Sequence, residues 1–446
     1  MTSTLIKNAR VLDATGDNPY RADVLIENNR IARVQRLGGG GAAAGGAYGA
    51  RYAGGTTSIG GGAQTVVDAN GATLMPGLVE AHAHPSFLNF ERVEQVGEIP
   101  PEEHAFGTLK NAELMLMNGF TSLFCAASAR KRADVVVRNA INAGQFAGPR
   151  IRAASPELTP TAGLGDVSMD HLERLSFAIV CDGADEFRKV SRAMVREGVD
   201  VLKMNPSGDE FVPHNRAQVT CMTEAEIAAV CEVGLTHGVH VAVHARSSQS
   251  VKWSLKHGAD IIYHANFADD EALAMLEAQR ERIFVAPAIG IQITTLNEAS
   301  GWGVTREMAV EMGVQDSLEG AVRNMQHLLR AGVRVLPGGD YGFAWNPIGT
   351  NARDLEHFVR YLGMSPKADS PGADHLPRLR RWLVPREAAN RGRGRGTYLG
   401  VQVDGDPGQD RTRDRRCPRS HGRRSWPRPT EMTLNERNHH PFRSAA

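Results

Sequence analysis

The sequence predicts an α/β fold: a (β/α)8 TIM barrel with a small strand-rich domain at its N-terminus. Three observations lead there. Eight apolar, strand-like runs alternate with helical segments between residues 76 and 366, the pattern of a parallel sheet. Several helical segments stop at a glycine before the next strand, at Gly198, Gly238, Gly258 and Gly332, as helices that turn back into a strand do. Residues able to do chemistry stand at the ends of several runs, where such barrels place their active sites.

The elements follow in order. Within residues 1–75, Leu5–Leu12, Ala22–Ile26 and Arg30–Val34 read as strands, with Glu27-Asn28-Asn29 as a turn. Residues 37–62 are rich in Gly and Ala, lack apolar periodicity, and read as a flexible hairpin insertion. Thr65–Asp68 resumes a strand, which Asp68-Ala69-Asn70-Gly71 turns. The barrel strands are then Leu78–His84, Thr121–Cys125, Arg150–Ala154, Val199–Lys203, His240–His244, Asp260–His264, Arg282–Ala286 and Val333–Pro337. Arg132–Ala143, Asp185–Glu197, Glu224–His237, Val251–His257, Asp269–Gln279 and Asp316–Ala331 are the clearest helices between them.

Composition narrows the partners. The chain has 446 residues, 41% hydrophobic and 23% charged, with a formal net charge of +1. Nothing in that balance points to nucleic acid or a membrane surface, and no apolar run is long enough to span a bilayer. The N-terminus does not read as a secretory signal. The five cysteines form no Cys-x-x-Cys pair, which fits a cytoplasmic location better than a disulfide framework or a zinc ribbon.

Glu80-Ala81-His82-Ala83-His84 closes the first barrel strand. Residues i and i+2 of a strand share a side, so both imidazoles reach one point, and neutral imidazole is a common metal ligand. Alone, the pair reads equally well as two alternating histidines. Lys203 ends strand four, His244 strand five and His264 strand six, while strand eight runs into Gly338-Gly339-Asp340. Each has a bland alternative: satisfied core histidines, a solvated lysine, a turn-forming aspartate. Their joint occurrence at separate strand ends predicts one metal site. Two metals close together need a bridging anion. A charged lysine has no lone pair to offer, but its carbamate has two anionic oxygens, and a buried amine beside cations suits that reaction. Asp340 would take the proton of an activated water and pass it to a leaving nitrogen.

With Pro76–His84, Lys203, His244, His264 and Gly339-Asp340 in this order, the chain resembles the amidohydrolase superfamily, and more closely its imidazolonepropionase-like and Xaa-Pro dipeptidase-like branch. The resemblance implies a metal-dependent hydrolase of C–N bonds, with two zinc ions per chain and a carboxylated Lys203. Manganese, cobalt and nickel stay open. It implies that His82, His84 and Asp340 hold the buried metal, that Lys203 bridges, and that His244 and His264 hold the outer one. Asp340 and His264 are the catalytic residues expected. Expected substrates are a dipeptide, an N-acyl amino acid, a cyclic amide or a urea-like molecule, contacted by His214, Arg246, Tyr263, Tyr341 and Trp345. A one-metal deaminase and a weakened barrel acting as a scaffold are the alternatives, and homo-oligomerisation is open. The N-terminal strands resemble half of the small β-sandwich that such enzymes build from both chain ends. Two departures stand out: no histidine near Leu164, and an Arg/Pro/Gly-rich segment over 367–446 in place of the expected helix and strands. Within that segment only Val401–Pro407 resembles a terminal strand and turn. The rest reads as a basic disordered tail or, preferably, as a frame-shifted remnant that leaves the sandwich incomplete.

Overall fold

The computed structural model describes residues 3–14, 18–28, 30–37, 63–212, 214–364 and 399–402. Apart from Leu37, the expected hairpin insertion lies outside these residues. So does the Arg/Pro/Gly-rich segment, except for 399–402. The strands in chain order are β1 (Ser3–Val11), β2 (Tyr20–Glu27), β3 (Arg30–Arg36), β4 (Thr65–Asp68), β5 (Thr73–Pro76), β6 (Leu78–Ala83), β7 (Phe120–Cys125), β8 (Arg150–Arg152), β9 (Ala154–Thr159), β10 (Ala178–Val180), β11 (Val201–Met204), β12 (His240–Ser247), β13 (Ile261–Phe267), β14 (Phe284–Ala286) and β15 (Leu399–Gln402).

The N-terminal strands form one mixed six-stranded sheet in the order β15-β5-β1-β2-β3, with β4 also on β1. β1 bulges between Ile6 and Ala9. This lets β4 pair along its first half and β5 along its second. Its core is small: Ile6, Ala9, Val11, Ala22, Val24 and Leu74. β15 runs antiparallel to β5, Leu399 opposite Pro76, so a segment far along the chain returns to the N-terminal sheet. Residues 403–407 of the expected terminal strand lie outside the described set.

The barrel can be traced pair by pair. β6 pairs with β7 and β7 with β8, all parallel. β8 is followed directly by β9, which continues strand three and pairs with β11. β11, β12, β13 and β14 follow in parallel register. Strand eight, expected over Val333–Pro337, is reduced to a bridge between Val335 and Val285. It still closes the ring: Val285 N donates to Arg334 O at 2.9 Å, Leu336 N to Val285 O at 2.9 Å, and Ala81 N to Pro337 O at 3.0 Å. Leu123, Leu158, Leu202, Val243, Ile262 and Phe284 belong to the main core. Among the described residues no helix is long and apolar enough to cross a membrane.

The helices obey their caps. Thr223 and Glu226 form a capping box at the start of helix Glu224–His237, and Gly198, Gly238 and Gly258 end their helices in the left-handed region. Three of the longer helices are not among those the sequence marks most clearly. Pro101–Met117 buries His104, Thr108, Ala112 and Met115, a helical spacing of residues too small or polar to register as an apolar stripe. Ile289–Glu298 is buried almost all round and therefore lacks an amphipathic period. Arg353–Leu362 buries Asp354, His357, Phe358 and Leu362.

Candidate metal centre

The C-terminal ends of the barrel strands bring the expected residues to one mouth. His82 and His84 project from the end of β6, both buried. His84 Nδ1 faces Ala127 O at 3.2 Å. A carbonyl only accepts, so Nδ1 carries the proton and Nε2 keeps its lone pair. That Nε2 lies 3.0 Å from Asp340 Oδ1, and His82 Nε2 lies 3.6 Å from the same oxygen. Ligand atoms of His82, His84 and Asp340 all fall within 4.8 Å of one another.

The other histidines extend this cluster. The His264 ring centroid lies 5.3 Å from that of His82 and 4.3 Å from that of His244. His244 Nε2 donates to Gly208 O at 3.1 Å, leaving Nδ1 as its lone-pair nitrogen. Tyr263 stacks on His82 at 4.0 Å and donates its hydroxyl to Ala81 O at 3.1 Å, so it packs beneath the cluster.

Lys203 is buried at the end of β11, where its Nζ donates to Glu157 Oε1 at 3.1 Å. Glu157 was not anticipated. It sits on β9, beyond the end expected for strand three, because Ser155-Pro156-Glu157 are poor strand formers. Its other oxygen accepts from Asn205 Nδ2 at 2.6 Å.

Electrostatics fit ligands. Burial holds the imidazoles of His82, His244 and His264 well below the usual histidine range, so they are neutral. Burial pushes the Asp340 carboxyl up, but His82, His84 and Lys203 outweigh it and hold it below the carboxylate range. Both ring nitrogens of His264 and Nδ1 of His82 are buried without a hydrogen-bond partner. Orphaned polar atoms of this kind cost about 1–3 kcal/mol each. Neutral imidazoles beside an ionised carboxylate form a donor set that fits a divalent cation.

The backbone is strained here. His264, Ala288 and Asp340, at the ends of strands six, seven and eight, have φ of 77°, 56° and 60°, at roughly 1–3 kcal/mol each. Contacts around Asp340 hold it in place. Asn346 Nδ2 donates to both Gly339 O and Asp340 O at 2.9 Å. Asp354 accepts from Gly338 N at 2.9 Å and from the Tyr341 hydroxyl at 3.0 Å. Gly338 is required by close approach: a Cβ there would lie 2.6 Å from His82 N.

The expected substrate contacts fare unevenly. His214 is exposed on the loop after β11. Tyr341 is buried and committed to Asp354. Arg246 is buried, bonding Asp209 at 2.9 Å and both Glu210 and Asn266 at 3.3 Å. Burial works against its charge, but Glu210 and Asp209 prevail and raise it. The structure therefore spends Arg246 inside the wall, on two acids the sequence did not single out. Glu210 also accepts from Ser317, and Phe211 lies 6.1 Å from Trp345, ring to ring. Residues 205–212 thus start at strand four, pass over strands five and six, and reach the loop after strand eight on the opposite side of the ring.

Comparison with known proteins agrees with this fold. The Aspergillus niger ochratoxinase is 24% identical over 311 residues, 66% of this chain and 62% of that enzyme. The aligned region is therefore less than two thirds of the relative's length. A Xaa-Pro dipeptidase solved with methionine in its active site superposes with a TM-score of 0.68 at 21% identity, covering 85% of this chain and 89% of that one. The ochratoxinase structure gives 0.66 at 21%, covering 83% and 82%. Phenylurea hydrolase B gives 0.57 at 20%, covering 83% and 85%. The histidines at the strand ends all fall within a stretch, residues 73–351, that matches the Amidohydrolase family; that stretch is well over half of the chain, which belongs to this family.

Proposed function

We propose that the chain hydrolyses a C–N bond of an amide-like small molecule, using a divalent metal held by His82, His84 and Asp340. The observation that carries this reading is the convergence of those three ligand atoms within 4.8 Å, beside the unpartnered nitrogens of His264. When bound, the metal supplies Lewis acidity, which lowers the pKa of water and polarises a carbonyl.

The chain's own residues do the rest. His84 is fixed by Ala127 O, and His82 is sandwiched between its neighbours and Tyr263, so the ligands lose little freedom on binding. Asp340 retains 16% side-chain exposure while both histidines are nearly inaccessible, which makes it the ligand facing incoming substrate. Ionised, it accepts the proton of the attacking water as the C–O bond forms. It returns that proton to nitrogen as the C–N bond breaks, giving a carboxylic acid and an amine. In this reading Lys203, as a carbamate, joins His244 and His264 in holding a second metal, with zinc as the ion. Dipeptides, N-acyl amino acids, cyclic amides and ureas are the candidate substrates.

In a second reading, a one-metal site such as that of a deaminase, Lys203 would stay an amine donating to Glu157 and hold no metal. Zinc content of the purified full chain separates the two. About two equivalents, with a carbamate carbon signal after growth in 13C-bicarbonate, support the bridged pair. One equivalent and no carbamate support the one-metal site. A folded chain that binds no divalent metal overturns both.

A further inference from the structure

We propose that Arg246 is a positioning residue for the outer metal: by anchoring the loop after strand four, it fixes the ring of His244 with Nδ1 free for the ion. The inference rests on the two-metal reading above, in which His244 and His264 hold that ion.

His244 and Arg246 stand two residues apart on β12 and therefore share a face. That face leads to the barrel mouth, yet the guanidinium is already occupied. Its Nε donates to Asp209 Oδ2 at 2.9 Å, and Nη1 donates to Glu210 Oε1 and Asn266 Oδ1, both at 3.3 Å. The backbone N–H of Arg246 donates to Ser207 Oγ at 2.8 Å. Arg246 thus holds the loop on both sides of Gly208, at Ser207 by its main chain and at Asp209 and Glu210 by its side chain. The far anchors are themselves tied down. Asn266 Nδ2 donates to Ser317 O at 2.9 Å, and the Ser317 hydroxyl donates to Glu210. Arg246, Asp209 and Glu210 are all buried, so removing one charge leaves the others uncompensated.

What this bracket presents is one carbonyl. Gly208 O accepts from His244 Nε2 at 3.1 Å; Asp209 Oδ2 is the next acceptor, 3.5 Å from the same nitrogen. A neutral imidazole carries one N–H, so a proton kept at Nε2 leaves the lone pair at Nδ1. The turn at Gly208 is tight. Gly208 N donates to Val219 O at 3.0 Å and Asp209 N to Asn215 O at 2.9 Å, and a Cβ on residue 208 would lie 1.8 Å from Asn215 O. The carbonyl therefore depends on a glycine for its approach and on Arg246 for its place. Without the guanidinium, Asp209 and Glu210 are two buried acids side by side, and the loop no longer has a reason to stay on His244.

The test uses the full-length chain. Competition with a chelating dye reads the affinity of each zinc equivalent, and the melting temperature of the metal-free chain is measured alongside. His244→Ala identifies the outer equivalent as the one it loses. Arg246→Lys keeps the charge but not the flat fork, and should weaken that equivalent about 10- to 100-fold while the inner one stays within about twofold. Arg246→Ala should weaken it at least as much; if that chain does not fold, Arg246→Lys carries the test. Equal weakening of both equivalents, or wild-type affinity for both in a chain that melts lower, overturns the inference and leaves Arg246 as a support of the fold. The two readings fail separately. If the wild-type chain binds one equivalent, or His244→Ala keeps both at wild-type affinity, the two-metal reading fails and the inference falls with it. If His244→Ala loses the outer equivalent and Arg246→Lys does not weaken it, only the positioning role fails.

Discussion

Asn346 should control metal affinity without touching the metal. Its amide donates to Gly339 O and Asp340 O, and it holds Asp340 at φ 60°, where the carboxylate meets His84. In Asn346→Ala both bonds go. Gly339 O keeps the amide of Ile291 at 2.9 Å, so that loss is about 1 kcal/mol. Asp340 O is left with no such replacement, at about 1–3 kcal/mol. The sum, about 2–4 kcal/mol, corresponds to a melting temperature lower by about 2–4 °C in a chain of this size. A released Asp340 also relaxes from the left-handed region and moves its carboxylate. Losing such support typically weakens metal binding about 10- to 100-fold. Asn346→Asp keeps the volume but places an acceptor against two acceptors, and should lose at least as much. Zinc affinity by competition with a chelating dye, alongside thermal melting, reads both effects. A variant that melts lower yet keeps zinc affinity within twofold would show that Asn346 supports only the fold.

Three further outcomes are expected. Lys203→Ala should remove one zinc equivalent and most activity, by elemental analysis and turnover; a variant with two equivalents sinks the bridged pair. Gly338→Ala places a methyl 2.6 Å from the backbone nitrogen of His82, so overpacking of about 1–3 kcal/mol and reduced zinc affinity should follow, and wild-type melting would contradict the contact. Burial pushes the Asp134 carboxyl from 3.8 up to about 6, against the pull of Ser86, Cys125 and Ser128. The folded state then holds this proton more tightly than the unfolded state, so its contribution to stability is complete below about pH 4 and is lost as pH rises through about 6, to a total of about 3 kcal/mol. Asp134→Asn should remove that slope; parallel denaturation curves for the two proteins between pH 4 and 7 would refute it.

The proposed ligands were legible because each sits at the end of an apolar run. His82, His84, Lys203, His244 and His264 follow strands whose apolar character marks them in one sequence, and the amidohydrolase resemblance stands with the family match. Their supports were not legible. Glu157 lies past Pro156, where strand character is weak. Asp209 and Glu210 sit in an irregular loop, and their partner Arg246 extends β12 beyond its apolar portion. Asn346 and Asp354 act on backbone atoms, and nothing in residue type announces which carbonyl or amide a side chain will find. Helix Pro101–Met117 escaped for a related reason, since its buried face includes His104 and Thr108, which apolar periodicity does not count.

The eighth barrel segment is tied to its neighbours at Val285 and Ala81 by the backbone bonds of Arg334, Leu336 and Pro337, and the same segment delivers Asp340. Until it docks, β6 and β14 are open sheet edges more than 200 residues apart in sequence, and the metal cluster lacks its carboxylate. Ring closure and completion of the ligand set are therefore one event in assembly. A divalent cation bound at the proposed site would act as a clasp on the last seam of the barrel, stabilising the closed form in proportion to its affinity. Amide exchange at Ala81 and Leu336 should accordingly slow on zinc addition more than exchange at Leu202 or Val243, on strands four and five across the ring.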